Sequence, residues 1–164
     1  MRLSISDLFF KRLNEGEGVS TSQPSPEAVM EAWREALTEY EKVLYMPISS
    51  GLSGSCNTAR MLATEEEFEG KVFVVDNGRV ATPMHRSILD ALELIEEGYS
   101  AQEVQLMLET AGAKMSIYIA VETLEHLKNG GRITPATAAI GTVLNIKPIL
   151  KLNTGVLETY KKSR

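Results

Sequence analysis

Apolar and polar positions alternate along the chain with two distinct periods, and glycine, proline and serine mark where one period gives way to the next. Val29, Trp33, Ala36, Leu37 and Tyr40 recur at helical spacing, so one face of that segment packs on a core. Ser25 stands as its N-cap and Pro26 occupies the first helical position, where a missing N–H costs nothing. A shorter helix before it, capped by Ser4 or Ser6, runs through Leu13 and ends at Gly16, with Leu8, Phe9 and Leu13 on its apolar side. Val43-Leu44-Tyr45-Met46 reads as a strand, and the segment from Cys56 to Ala63 as a helix. Val72-Phe73-Val74-Val75 forms a second strand, closed by the turn signal Asp76-Asn77-Gly78. An amphipathic helix follows from Arg86 to Glu97, closed by Gly98. Ser100-Ala101-Gln102-Glu103 has the capping-box pattern and opens another, closed by Gly112. Strands separated by helices at this spacing imply parallel pairing with right-handed crossovers.

Beyond Gly112 the order of elements changes. Ser116 to Val121 is a third strand, and Thr123 to Lys128 a short helix stopped by Asn129-Gly130-Gly131. Thr134-Pro135 starts a further helix by the same cap-then-proline device. Lys147 to Leu152 and Val156 to Lys161 flank Asn153-Thr154-Gly155 as a hairpin. The pattern therefore predicts an α/β protein with a parallel-sheet lobe, helices on both faces, over residues 1–113. A partial second α/β lobe, strand, helix, helix and hairpin, covers residues 114–164. A hairpin placed last leaves an unpaired edge unless something covers it, so the expectation is of an incomplete polypeptide.

Composition narrows the class. The chain has 164 residues and one cysteine, Cys56, which rules out an intramolecular disulfide. No apolar run reaches the length of a membrane span, so stable membrane insertion is not expected. Met1-Arg2-Leu3-Ser4 carries no signal-peptide pattern, and a cytoplasmic location is the expectation. The net charge of −5 conceals an asymmetry: residues 1–113 hold 9 Lys/Arg and 19 Asp/Glu, whereas residues 114–164 hold 8 and 3. The basic part suits a phosphate-bearing ligand, an anionic headgroup or an acidic partner. Without aromatic interleaving or a nucleic-acid motif, no nucleic-acid partner is expected. His85 and His126 are isolated and neither forms a ligand pair, so no metal site is indicated.

The stretch from Met46 to Ser55 carries the candidate chemistry. A strand passes abruptly into Ile48-Ser49-Ser50-Gly51-Leu52-Ser53-Gly54-Ser55 and then into a helix, and ligands of open α/β sheets bind at the carboxyl ends of strands. Free N–H groups at a helix start attract anions, glycines admit a ligand close to the backbone, and serines add neutral hydrogen-bonding hydroxyls. An alternative is a serine hydrolase. Gly51-Leu52-Ser53-Gly54-Ser55 approaches the nucleophile-elbow pattern, with Asp76 and His85 following in triad order, although Ser55 replaces the final glycine. Arg132, after Gly130-Gly131, offers a guanidinium to a carboxylate or phosphate.

Four segments together, Thr21-Ser22-Gln23-Pro24-Ser25, Ile48 to Gly54, Leu127-Lys128-Asn129-Gly130-Gly131-Arg132-Ile133 and Asn145-Ile146-Lys147-Pro148-Ile149-Leu150, resemble the DegV family. That resemblance runs from about Ser4 to Arg164. It implies a bacterial fatty-acid-binding protein, not an enzyme, like the acyl-carrying subunit of fatty acid kinase, with a long-chain fatty acid as ligand and no other cofactor. It places the carboxylate on Thr21 and Ser53, with Ser50 and the amide of Gly54 assisting, and no catalytic residue. It also implies a fatty acid kinase as partner, met by Arg132 and Arg164. The acyl chain is expected between apolar walls, with Ile140, Val143, Leu144 and Ile149 as candidates. The chain differs from the family pattern in lacking a first βα unit and the end of the second lobe. The loop Asp76 to Met84 also departs from it, as does Ser55 where threonine is usual. A fragment that no longer binds lipid is a further alternative.

Overall fold

A computed structural model describes residues 4–134, 147–153 and 156–163. Strand β1 (Val43–Tyr45) pairs in parallel with β2 (Val72–Val74), Val43 lying opposite Val72 and Tyr45 opposite Val74. Successive side chains of a strand point to opposite faces, and both faces here are covered. Val43 and Tyr45 join the core formed with α2 (Pro26–Glu39) and α3 (Ser55–Leu62). Leu44 and Met46 join the one formed with α4 (Ala81–Glu96) and α5 (Ala101–Ala113). This near-continuous apolar run is what a parallel strand buried on two sides requires. On the first face Trp33, 2% exposed, meets Tyr45 and Phe68 edge-on at ring separations of 5.3 and 5.2 Å, a geometry that favours aromatic pairs beyond their buried area.

Helix ends follow the local chemistry. In α1 (Ile5–Asn14) Ser4 is the cap and forms a capping box with Asp7. Ser25 Oγ accepts from Ala28 N–H at 3.3 Å ahead of Pro26, and Ser100 with Glu103 forms the expected capping box of α5. Several boundaries differ from the sequence reading by one residue or more, and α4 differs most. Helix α4 begins at Ala81 rather than Arg86, because Pro83 falls in a first turn that needs no N–H of its own. Helix α5 continues past Gly112 to Ala113.

The second sheet is antiparallel in the order β3 (Ile117–Ala120), β4 (Lys147–Asn153), β5 (Val156–Ser163). Ile117 pairs with Leu152 and Leu150 with Thr159, with a bulge between Ile149 and Leu150. One face of this sheet, through Leu150, Leu152 and Leu157, packs on Leu124 and Ile133 around α6 (Glu125–Asn129). Leu52 and Val80, from the loops that follow β1 and β2, also pack into this cluster. The helix expected from Thr134-Pro135, the wall candidates Ile140, Val143 and Leu144, the hairpin tip and Arg164 lie outside the described residues. Among the described residues no helix is long and apolar enough to cross a membrane.

Candidate functional site

The loop joining β1 to α3 folds into a compact turn. Leu52 N–H and Ser53 N–H both donate to the Ser49 carbonyl, at 2.9 and 3.2 Å, while Ser49 N–H donates to the carbonyl of Arg79 at 3.0 Å. The β2–α4 loop thus holds the head of the serine loop. Asp76, at the end of β2, faces the same turn, with Oδ1 3.4 Å from Ser50 N. Its backbone N–H donates to Glu109 at 2.9 Å, and Arg60 lies between the two carboxylates, 3.8 Å from Asp76 and 3.3 Å from Glu109. Ser53 Oγ accepts from Ser55 N–H at 3.2 Å. Gly54 is the N-cap of α3 and provides no side-chain cap, and Ser53 instead meets the first amide of the helix.

The second serine and threonine loop lies on this turn. Gln23 Nε2 donates to Thr58 Oγ1 at 2.9 Å. A β-carbon added at Gly54 would lie 2.8 Å from Gln23 Oε1, so glycine is what lets the Gln23 amide approach. The structure thereby brings the Thr21 and Ser53 loops together through Gln23, which the sequence reading did not single out as a contact. Thr21 is exposed; Ser50 and Ser53 are half-buried; Gly54 is exposed. Ser49 is not among the residues that the sequence singles out. Its hydroxyl is buried with no hydrogen-bond partner, a distinction invisible among the like serines of one loop.

Arg132 reaches the same turn from the other side. Its Nε–H donates to the Leu52 carbonyl at 3.2 Å and its Nη1 to the Gly130 carbonyl. The guanidinium therefore links the Gly130-Gly131 turn to the serine loop. Cys56, the second residue of α3, is fully buried, and burial first, then the Asp76 carboxylate, pushes its thiol up to about 11. Such a thiol is not a nucleophile at neutral pH. Of the hydrolase residues, Ser53 Oγ is engaged by Ser55 N–H, Asp76 is oriented by Arg60, and His85 is exposed on α4. Among the described residues no hydrogen bond joins His85 to either of them, and no group of acidic, histidine or cysteine side chains could hold a metal ion.

The family profile described as "Uncharacterised protein, DegV family" matches residues 2–164. The chain belongs to the DegV family. A DegV domain-containing protein of Deinococcus radiodurans is 39% identical over 145 residues, covering 88% of this chain and 51% of that protein. The structure of a DegV family protein from Thermus thermophilus, described for its fatty acid binding, superposes with a TM-score of 0.82 at 41% identity, over 94% of this chain and 55% of that one. A DegV family protein from Ruminococcus gnavus with vaccenic acid gives a TM-score of 0.82 at 27% identity, over 99% of this chain and 58% of that one. The chain thus spans about half the length of the DegV relatives it matches, and the mixed α/β architecture is the one they share.

Proposed function

We propose that this chain carries the head-group end of a cytoplasmic fatty-acid carrier, in which a long-chain fatty acid is held by its carboxylate at the start of α3. The observation that carries the reading is the seating of Gln23 on Gly54 and Thr58. It joins the loop of Thr21 to that of Ser53 beside a helix start. Hydroxyls from Thr21 and Ser53, assisted by Ser50 and the amide of Gly54, can hold a carboxylate without a buried cation against it. Fatty acid binding by the Thermus thermophilus relative supports the ligand class. The acyl chain then leaves toward Ile149, and residues 1–113 and 114–164 act as two lobes on either side.

We further propose that the carboxylate is presented to a fatty acid kinase, with Arg132 and Arg164 facing that encounter. A carboxylate held by neutral donors keeps an oxygen available for phosphorylation. The basic balance of residues 114–164 suits an acidic or nucleotide-bearing partner. The protein is in this reading a carrier and not itself a catalyst. Lipid extraction followed by mass spectrometry tests the ligand. A long-chain fatty acid should be recovered from the purified protein, and less of it from Thr21→Ala or Ser53→Ala. Recovery of no lipid, with no uptake of added oleate, would overturn the carrier reading.

A further inference from the structure

The two loops that carry Thr21 and Ser53 bring no formal charge of their own. Residues 19–26 and 46–59 contain no Lys, Arg, Asp, Glu or His. The charge felt by a head group at the start of α3 is therefore supplied by side chains from other elements. Asp76, at the end of β2, accepts from Ser50 N–H at 3.4 Å through Oδ1. Its own backbone N–H donates to Glu109 Oε1 at 2.9 Å, which holds a second carboxylate, from α5, against the first. One guanidinium serves both, Arg60 of α3 lying 3.8 Å from Asp76 and 3.3 Å from Glu109. Two carboxylates against one guanidinium leave a negative charge over.

Burial decides how far that charge is felt. The Asp76 side chain is 14% exposed and that of Glu109 29%, whereas Arg60 is 48% exposed, so water screens the cation more than the acids it faces. Cys56, the second residue of α3, reports the sum. Burial raises its thiol most and the Asp76 carboxylate next; Arg60 opposes by less, and Glu109 adds to the rise. The field of this cluster across the first turn of α3 is thus negative. From the other side of the turn, Arg132 has its Nε–H on the Leu52 carbonyl and its Nη1 on the Gly130 carbonyl, two donors already committed to backbone. We propose that Asp76 and Glu109 determine head-group specificity: a single negative charge is accepted between Thr21 and Ser53, and a doubly charged head, such as a phosphate monoester, is disfavoured. The proposal rests on the carrier reading and sets a charge limit to it. Repulsion grows with the product of the charges, so a dianion feels Asp76 about twice as strongly as a carboxylate does. The hydroxyls of the two loops are neutral and offset none of the difference.

The probes are oleate, oleyl phosphate and oleyl alcohol, one chain with one, two and no charges at about pH 8, above the second phosphate ionisation at about pH 6. Each is measured by displacement of a labelled fatty acid from the 164-residue chain. Wild-type protein should bind oleate more tightly than oleyl phosphate. Asp76→Asn keeps an oxygen for Ser50 N–H and removes the charge, and it should raise the affinity for oleyl phosphate relative to oleate by about tenfold. Glu109→Gln should act in the same direction and Arg60→Gln in the opposite one. That reversal of sign separates charge from a loosened turn, which moves all three probes together. Thermal unfolding checks that the variants remain folded. If Asp76→Asn unfolds, Glu109→Gln and Arg60→Gln, at more exposed positions, still decide the matter. The proposal is overturned by wild-type protein that prefers oleyl phosphate, by an unchanged ratio of the two affinities in the variants, or by Arg60→Gln shifting that ratio in the same direction as Glu109→Gln. Each of these leaves the carrier reading standing. Wild-type protein that takes up no oleate overturns the carrier reading, and the charge limit with it.

Discussion

Arg132 Nε–H donates to the Leu52 carbonyl across 3.2 Å, while the Leu52 side chain packs in the core beneath the antiparallel sheet. One residue of the serine loop is therefore held twice by the second part of the molecule, through its carbonyl and through its side chain. Arg132→Ala removes the first hold, and the expected result is a loss of fatty-acid affinity of about fivefold, equivalent to about 1 kcal/mol. Arg132→Lys should lose nearly as much, since an ammonium cannot span the Leu52 and Gly130 carbonyls as a planar fork does. Fluorescence titration with a labelled fatty acid measures this. If Arg132 serves only an encounter with a kinase, lipid affinity stays at the wild-type value and only the salt dependence of acyl phosphorylation changes.

Thr21 and Ser53 lie on loops joined by Gln23, so their contributions to one carboxylate should be coupled. Each hydrogen bond to a charged group is worth on the order of 1.5–3 kcal/mol, and either alanine substitution should weaken binding about ten- to a hundredfold. The double variant should lose less than the sum. Thr21 is exposed, so Thr21→Ala should leave the unfolding temperature unchanged. Additive losses in the double-mutant cycle would place the two hydroxyls on different ligand atoms.

The elements that carried strong local signals were legible before the structure. Ser25-Pro26 and Ser100 to Glu103 each combine a cap with helical periodicity, and local chemistry there agrees with the tertiary fold. The start of α4 was not legible. Pro83 is compatible with both a loop and a helical first turn, and Ala81 adopts a φ of 54° that favours glycine. Nor could the sequence tell Ser49, its hydroxyl buried without a partner, from Ser50 and Ser53, since its place depends on the Arg79 carbonyl in the β2–α4 loop, two elements further along the chain. The family motifs pointed to two loops that the fold brings into contact. What they could not provide was the contact that unites them, Gln23 against Gly54, which depends on the packing of two segments separated by a whole helix and strand.

Two glycines with crowded surroundings should respond differently to a methyl group. At Gly112 a β-carbon would lie 2.2 Å from the Asn77 carbonyl oxygen and 2.8 Å from its Cα, and backbone atoms cannot step aside without moving the β2–α4 loop. Gly112→Ala should therefore destabilise by about 1–3 kcal/mol, overriding the helix preference for alanine of roughly 0.5–1 kcal/mol. At Gly54 the obstacle is the far end of the flexible Gln23 side chain, at 2.8 Å. Gly54→Ala should leave thermal stability nearly unchanged but weaken fatty-acid binding by displacing Gln23. Paired denaturation and lipid-binding curves separate the cases. Equal stability losses at both positions would show that the Thr21 loop cannot yield.

Cys56 makes a prediction at high pH. Burial, reinforced by Asp76 and opposed by Arg60, raises its thiol from the usual 9.0 to about 11. The native state keeps the proton while the unfolded chain releases it, so unfolding is increasingly favoured once the unfolded thiol ionises. The stabilisation is thus fully present below pH 9 and is lost as pH rises toward about 11. A shift of this size corresponds to roughly 2–3 kcal/mol in total. Tyr45 is also raised, by burial first and then by Cys56, and adds a slope of the same sign. Subtracting the pH profile of Cys56→Ala from that of the wild type isolates the thiol, and Tyr45→Phe serves as the control. The difference should be flat from pH 7 to the pH at which the free thiol ionises and fall beyond it. At pH 8 the native thiol should also resist iodoacetamide, reacting only after unfolding. Alkylation of the native protein at the rate of an exposed thiol would mean that α3 opens away from the sheet often enough to release the serine loop, and the proposed fatty-acid site would then be a transient one.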